Sequence, residues 1–295
     1  MMAEASIPVD LTNPGQVFAC LGFLEAADVL LGEARGSFDW RNSADLRFRL
    51  AACGSDDPVV RILRFLDEAT VTSVAPVGSA HSTGKWKIET GKDASGAFPF
   101  RDTGPDVLPA RLSDGSSNSI AIDHWGNSDG AGRDRVKFWA GAGGYPGAGL
   151  ARDALDLIRG RAVDHACDPF SLSAEQSSSF RFDWRRDYVP IDAGFSPNAH
   201  DDMVMRGYPI VELLAAIGLT NARPVRRHRL EYSYGVAGMA DDELYDPIFL
   251  RAALGAEKPP FPGMPFRLFA MRLDWPGQEG QARCITDVIE ETPPS

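Results

Sequence analysis

Residues 13–32 read "NPGQVFACLGFLEAADVLLG", and this stretch decides the fold that the sequence predicts. Asn13, or Thr12 before it, can cap a helix whose first turn takes Pro14, because proline lacks only an N–H that has no intrahelical partner there. Large apolar residues follow with Ala and Gly between them, a pattern that indicates a helix buried on two sides. Gly32 can end this helix, since glycine readily adopts the left-handed conformation of a C-terminal cap.

The segments on either side of this helix alternate between polar and apolar residues, as strands do. "SIPVDL" ahead of the helix predicts one strand, and "GSFDW" with "LRFRLAA" behind it predicts a hairpin. A second helix is predicted at "DDPVVRILRFLDEA", where Asp57 and Pro58 repeat the start of the first. Runs of strands with separated helices favour an α+β fold, with mixed or antiparallel sheets and a few buried helices.

The rest of the chain continues this mixture of short elements. Strands are predicted at "TVTSVAPV", "SIAID", "RVKFWAG" and "FRFDWR", and two long strands at "RHRLEYSYGV" and "FRLFAMRLDW". Helices are predicted at "GLARDALDLIRG", which Gly160 ends, and at "YPIVELLAAIGL". Residues 91–118 are rich in Gly, Ser, Asp and Pro and predict a partly ordered surface connection.

Residues 167–179, "CDPFSLSAEQSSS", have the composition of a linker. This segment predicts an N-terminal lobe over 1–165 and a C-terminal lobe over 178–295. The alternative is one continuous domain, which a chain of 295 residues is short enough to form.

Composition excludes several classes of protein. A hydrophobic share of 44% excludes wholesale disorder, and no run of about 18 apolar residues predicts a membrane span. The first residues lack the features of a signal peptide, so a cytoplasmic protein is expected. A formal net charge of -11 disfavours a free-standing DNA-binding protein. The four cysteines are far apart and form no CxxC pair, which indicates free thiols.

No catalytic residue, cofactor or metal ion is predicted. Gly141, Gly144 and Gly147 are spaced G-x-x-G-x-x-G, which is not the dinucleotide-binding order, and no P-loop is present. His165, Cys167 and Asp168 lie close together in "DHACD" but lack a second half at metal-ligand spacing. An enzyme with an unrecognised site near His165 and Cys167 remains an alternative.

Basic residues are few and concentrated. The candidate nucleic-acid contacts are the cations and the aromatic residue of one loop and two arginines of a second cluster: Arg133, Arg135, Lys137, Trp139, Arg226 and Arg227. A cation beside an aromatic ring can bind a phosphate while a base stacks on the ring, and each stacked base contributes about 1–3 kcal/mol. If Val136 and Phe138 face the core, however, Arg135 and Lys137 are ordinary solvated residues of a strand.

Three segments together resemble a known protein family. These are "NPGQVFACLGFLEAADVLLG", "IDHWGNSDGAGRDRVKFWAG" and "YPIVELLAAIGL", and the motifs within them occupy residues 13–16, 20–26, 122–125 and 137–141. Their order resembles that of the smaller large-subunit-like proteins of type I-G CRISPR effector complexes (formerly type I-U, once the Dpsyc subtype). The resemblance runs from residue 7 to about residue 220.

The resemblance implies a non-catalytic subunit of a crRNA-guided, Cascade-like surveillance complex in antiviral defence. Such a subunit contacts target DNA or the crRNA backbone and binds other effector subunits, while a recruited helicase-nuclease cleaves the DNA. Gly126 replaces an expected tryptophan, and Ala142 with Gly143 replace an expected polar pair. These departures favour contact with phosphates over base reading, because glycine lets backbone N–H groups approach closely.

Two further alternatives stay open. One is a subunit that binds only proteins and no nucleic acid. The other is a backbone subunit that binds crRNA directly, although such subunits carry a basic balance and a repeated strand-helix-strand module that this sequence does not display.

Overall fold

The computed structural model describes residues 1–74, 87–90, 110–116, 118–122, 147–176, 178–185, 205–274 and 283–294. Within these ranges the strands form four small sheets, all pairings between strands are antiparallel, and five α-helices pack against them. The α+β fold and the antiparallel sheets that the sequence predicts are therefore confirmed.

The N-terminal quarter follows the predicted order of elements. Strands β1 (Met2–Pro8), β2 (Arg35–Asp39) and β3 (Arg47–Cys53) form a sheet in the order β1-β3-β2, so β2 and β3 are the expected hairpin. Helices α1 (Pro14–Leu30) and α2 (Pro58–Glu68) begin at proline as predicted.

A second sheet follows in the order β4-β5-β6. Its strands are β4 (Thr70–Ser73), β5 (Ala110–Ser113) and β6 (Ser119–Ile122), and helix α3 (Gly147–Ile158) comes next. Strand β5 lies inside the range 91–118 and is an ordered part of this predicted surface connection. The four residues of β5 alternate between buried and half-buried, a period too short to stand out in a loop-like composition.

The C-terminal part contains the largest sheet, in the order β12-β11-β10-β9. Its strands and the two helices beside it are α4 (Pro209–Gly218), β9 (Val225–His228), β10 (Glu231–Ala237), α5 (Pro247–Leu254), β11 (Phe266–Asp274) and β12 (Cys284–Glu291). The single long strand predicted at "RHRLEYSYGV" is instead a hairpin of β9 and β10. Strand β12 and helix α5 are absent from the sequence-based interpretation.

Two segments near the middle differ from prediction. Residues 167–179 are not a solvated linker: Phe170 and Leu172 are buried in the core, and strand β7 (Ala174–Glu175) pairs with β8 (Arg206–Gly207). The strand predicted at "FRFDWR" is wrong, because residues 180–185 join no sheet. Arg181 has a φ of 65° there, a left-handed conformation that interrupts the pleat.

Helices α1 and α4 form the centre of the core. Every residue of α4 is buried, and Gly22 on α1 and Gly218 on α4 let the two backbones approach each other. A Cβ at Gly22 would clash with the backbone oxygen of Leu214, and one at Gly218 with that of Phe18. Residues from both sides of 166–177 thus share one hydrophobic core, while the proposed division into lobes stays a prediction.

Candidate nucleic-acid interface and the cleft at helix α1

The basic loop lies outside the described residues, but the elements that hold its ends are described. Arg133, Arg135, Lys137 and Trp139 all belong to 123–146, which follows β6 and precedes α3. Strand β6 contacts both α1 and α4, and α3 packs on α4. Both ends of the loop are therefore fixed to the central pair of helices.

The three strands of the β4-β5-β6 sheet each have one end at the same side of the sheet, next to residues that lie outside the described ranges. Ser73 pairs with Ala110, and Ala110 pairs with Ile122, so these three residues lie side by side. Thr90 also bridges to Ser73. The segments 75–86, 91–109 and 123–146 are therefore all attached to the same end of this sheet.

Arg227 is surrounded by carboxylates. Its Nη1 and Nη2 donate to both oxygens of Glu291 at 2.8 and 2.6 Å, and its Nε donates to Glu257 at 2.9 Å. Glu231 lies 3.7 Å away. These hydrogen bonds raise the pKa of the guanidinium of Arg227 above its usual range.

Arg226 is the neighbour of Arg227 but has a different place in the sheet. Arg226 pairs with Tyr232, whereas a bulge between Glu231 and Tyr232 leaves Arg227 without a pairing partner in the register. A phosphate at Arg227 would have to compete with a bidentate carboxylate. The nucleic-acid roles of Arg226 and Arg227 stay predictions.

Other arginines on the described surface are also paired with carboxylates. Three of them bind their partners through two or more N–H groups or ion pairs: Arg41 with Asp39 and Asp242, Arg251 with Glu25, and Arg267 with Glu290. Much of the positive charge of the described surface is therefore already neutralised within the chain.

In the cluster of His165, Cys167 and Asp168, no side chain is placed to act as a general base on a neighbouring nucleophile. His165 Nδ1 lies 3.2 Å from the hydroxyl of Ser171, but that hydroxyl donates its proton to the backbone oxygen of Asp168 at 2.7 Å. The imidazole therefore does not receive the serine proton. No three His, Cys, Asp or Glu side chains in the described ranges are grouped so as to hold a metal ion. The alternative of an enzyme with a site near His165 and Cys167 stays a prediction.

The Asn-Pro-Gly-Gln motif at the start of α1 forms a tightly bonded junction. Asn13 accepts from the N–H of Gly15 at 3.1 Å and donates from Nδ2 to Asp183 at 2.9 Å. A Cβ on Gly15 would lie 2.6 Å from the backbone oxygen of Phe182, so only glycine fits there. Gln16 Oε1 accepts from the N–H of Asp10 at 2.8 Å. Each residue of the motif thus has a structural role.

Asp183 connects this motif to helix α4. Its N–H donates to Glu212 at 3.0 Å, and its carboxylate, which is 0% exposed, accepts from Arg185 at 2.6 Å. The guanidinium of Arg185 also stacks on the ring of Tyr208, 3.5 Å from its centroid. Two of the segments that carry the family resemblance, 13–32 and 208–219, are therefore joined through buried polar contacts.

A cleft of about 430 Å³ opens beside this junction. Its polar and aromatic lining includes Asp10, Gln16, Asp45, Asp168, Phe170 and Arg185. The cleft cannot be recognised in the sequence, because its lining residues come from four separate parts of the chain. The only local signal is the Asn-Pro-Gly-Gln motif itself.

No helix in the described part of the chain combines the length and apolar character that a bilayer span requires. Comparison with protein-family models, with curated proteins and with solved structures finds no match to any of them.

Proposed function

We propose that this chain is a non-catalytic subunit of a crRNA-guided, Cascade-like type I-G CRISPR surveillance complex, and that it contacts the backbone of target DNA or crRNA. The proposal rests on the resemblance of three segments to one family. What supports it is that α1, α4 and the end of β6, one from each segment, contact one another in the core.

The contact with nucleic acid is assigned to the loop that follows β6. Arg133, Arg135 and Lys137 bring three cations to one short stretch, whereas many arginines of the described surface elsewhere are paired with carboxylates. Each phosphate contact by Lys or Arg contributes a salt-dependent term to the affinity. Trp139 supplies a surface on which a base can stack.

The partners in this proposal are the other effector subunits, crRNA and target DNA, with a recruited helicase-nuclease performing cleavage. A chain with a net charge of -11 repels free nucleic acid at long range. Its contact with nucleic acid therefore depends on partner subunits that supply most of the positive charge. The proposed place of action is the cytoplasm, where these complexes assemble.

The test is a double substitution, Arg135→Ala with Lys137→Ala, in the assembled complex. Affinity for target DNA is measured over a range of salt concentrations. We expect weaker binding at low salt and a decrease of about 1.5 in the slope of log affinity against log salt, because two phosphate contacts are lost.

The matched control is Arg64→Ala with Arg161→Ala, which removes two cations that are exposed elsewhere on the chain. This control should leave the affinity and the slope unchanged. If both double variants behave like the wild type, the loop does not bind phosphates. If the chain neither assembles with crRNA and effector subunits nor changes their binding to DNA, the proposed function is wrong.

A further inference from the structure

The cleft at the start of α1 carries negative charge that the chain itself neutralises only in part. Asp10, Asp45 and Asp168 all line it. Asp45 forms an ion pair with Arg47, and one oxygen of Asp10 accepts from Thr12. The carboxylate of Asp168 is exposed and has no hydrogen-bond or ion-pair partner among the described residues. The cleft therefore favours a cation over an anion.

Gln16, a residue that is almost fully buried, adds a hydrogen-bond donor at the wall of the cleft. Its side chain is 5% exposed, lines the cleft, and is oriented by the hydrogen bond from the N–H of Asp10 to Oε1. A backbone N–H can only donate, so the other end of the amide is Nε2. Among the described residues this Nε2 makes no hydrogen bond. Nε2 is not among the fully buried unpaired side-chain atoms of the described residues, so it reaches the cleft, where a carbonyl oxygen of an occupant can accept from it.

Arg185 supplies a second donor at the same place. Its Nε and Nη2 are used by Asp183 and by the backbone oxygen of Phe170, at distances from 2.6 to 3.2 Å. Stacking on Tyr208 fixes the plane of the guanidinium. Nη1 has no acceptor among the described residues, so a fixed N–H pair remains for an occupant of the cleft.

We propose that this cleft binds an extended segment of a partner protein that carries an arginine or lysine side chain. The cationic group contacts Asp168 and Asp10, while a backbone carbonyl oxygen of the segment accepts from Gln16 Nε2 and Arg185 Nη1. A volume of about 430 Å³ accommodates one long side chain and the adjoining peptide unit.

A nucleic-acid strand suits this cleft less well than a basic peptide does. Its phosphates would face Asp10, Asp45 and Asp168 at close range, and like charges brought together repel. A basic peptide matches both the carboxylates and the free N–H donors of the cleft, because it combines a cation with neutral carbonyl acceptors. The inference does not depend on the proposed function, since it follows from the cleft alone.

The test uses the full chain and a glycyl-arginyl-glycine tripeptide that is acetylated and amidated at its ends. Binding is followed by NMR through the side-chain amide resonance of Gln16, which a Gln16→Met variant assigns. We expect this resonance to shift with the arginine peptide. A peptide with neutral citrulline in place of arginine should bind about tenfold more weakly, because it loses the contacts with the carboxylates.

Asp168→Asn tests the carboxylate directly, and Asp164→Asn is its matched control. Both residues are exposed and carry the same charge, but only Asp168 lines the cleft. We expect Asp168→Asn to weaken binding of the arginine peptide about fivefold and Asp164→Asn to leave it unchanged.

Three results would overturn the proposal. The first is equal binding of the arginine and citrulline peptides, and the second is equal behaviour of the two Asp→Asn variants. The third is a shift of the Gln16 amide by a thymidine hexanucleotide that grows stronger in Asp168→Asn, which would identify the cleft as a nucleic-acid site. None of these results bears on the loop 123–146, so a failure here is distinguishable from a failure of the proposed function.

Discussion

Asn13 makes two contacts at once, and the side-chain amide suits both. Its oxygen accepts from the N–H of Gly15 and its nitrogen donates to the buried carboxylate of Asp183. Serine or aspartate at this position would keep the helix cap, but the short serine hydroxyl would not reach both partners and aspartate would face a second carboxylate. The residue type is therefore set by a partner 170 positions away.

Replacing this residue should destabilise the fold measurably. Asn13→Ala removes the cap of α1 and one of the donors to Asp183, so we expect the free energy of unfolding to decrease by about 2 kcal/mol. Urea denaturation of the purified chain measures this change.

The control for this variant is Asn42→Ala. Asn42 accepts from the N–H of Ala44 in an exposed turn and contacts no buried carboxylate. This substitution should cost less than about 0.5 kcal/mol. Equal effects of the two substitutions would mean that the bond to Asp183 contributes nothing to stability.

At the scale of elements, the contact between α1 and α4 depends on two glycines. Gly22 and Gly218 face the backbone of the opposite helix, where no Cβ fits without displacing it. The sequence predicts both helices and their burial, because the apolar pattern is local. It does not indicate which helix lies against which, since the glycines are only small residues within an apolar stretch.

Gly22→Ala should therefore destabilise the chain, even though alanine favours an isolated helix over glycine. We expect a loss of about 2 kcal/mol or more, because the added methyl group forces the backbone of Leu214 away. Thermal unfolding followed by circular dichroism measures the loss.

Val29→Ala serves as the control on the same helix, since the side chain of Val29 is 53% exposed. It should leave the melting temperature nearly unchanged. A Gly22→Ala variant as stable as the wild type would show that α1 and α4 do not pack through this glycine.

The edge strand β12 is held to the largest sheet partly by ion pairs. Glu290 binds Arg267 on the neighbouring strand β11. Glu291 binds Arg227 on β9, which is the strand at the opposite edge of the sheet. The hydrogen bonds from these arginines lower the pKa of both carboxyl groups from the usual 4.5. Since the folded-state pKa is the lower one, the carboxylates stabilise the fold above the unfolded-state pKa, and this contribution is lost as the pH falls.

Glu291→Gln should make stability less dependent on pH. We expect the variant to melt below the wild type at pH 7, and the difference to shrink as the pH falls below 4.5 and through the lowered folded-state pKa, because Glu291 then becomes protonated in the wild type as well. Melting temperatures across this pH range provide the measurement. The exposed Glu243→Gln is the control, and a constant difference between Glu291→Gln and wild type at all pH values would contradict the role of the ion pair.

At the scale of the whole molecule, the sequence predicts the fold class and little of the candidate sites. The α+β class, the hairpin of β2 and β3, and the caps at Asn13 and Asp57 follow from local patterns, and the structure has them. Helix α5 repeats the same signature, with Asp246 before Pro247, and was identifiable on that ground. Strand β12 alternates poorly, because several of its residues are half-buried.

The two candidate sites differ in what is needed to identify them, the sequence alone or the folded structure. The basic loop around Lys137 is a local concentration of charge and aromatic residues, so the sequence alone shows it. The cleft is visible only in the folded chain, because Gln16, Asp168 and Arg185 become neighbours through long-range contacts. The tertiary structure also decides whether the residues of a local cluster are available to bind a ligand. Arg227, for example, is paired with three carboxylates of its own chain.

By itself the sequence determined where α1 and α2 begin and that β2 and β3 form a hairpin, because caps, prolines and apolar periods act over three or four residues. Only the tertiary structure decided that α1 lies on α4, that Asn13 meets Asp183, and that Arg227 is occupied. The physical reason is that these contacts join residues tens to hundreds of positions apart. Their free energy depends on close packing and on burial of charge, which exist only after the chain has folded.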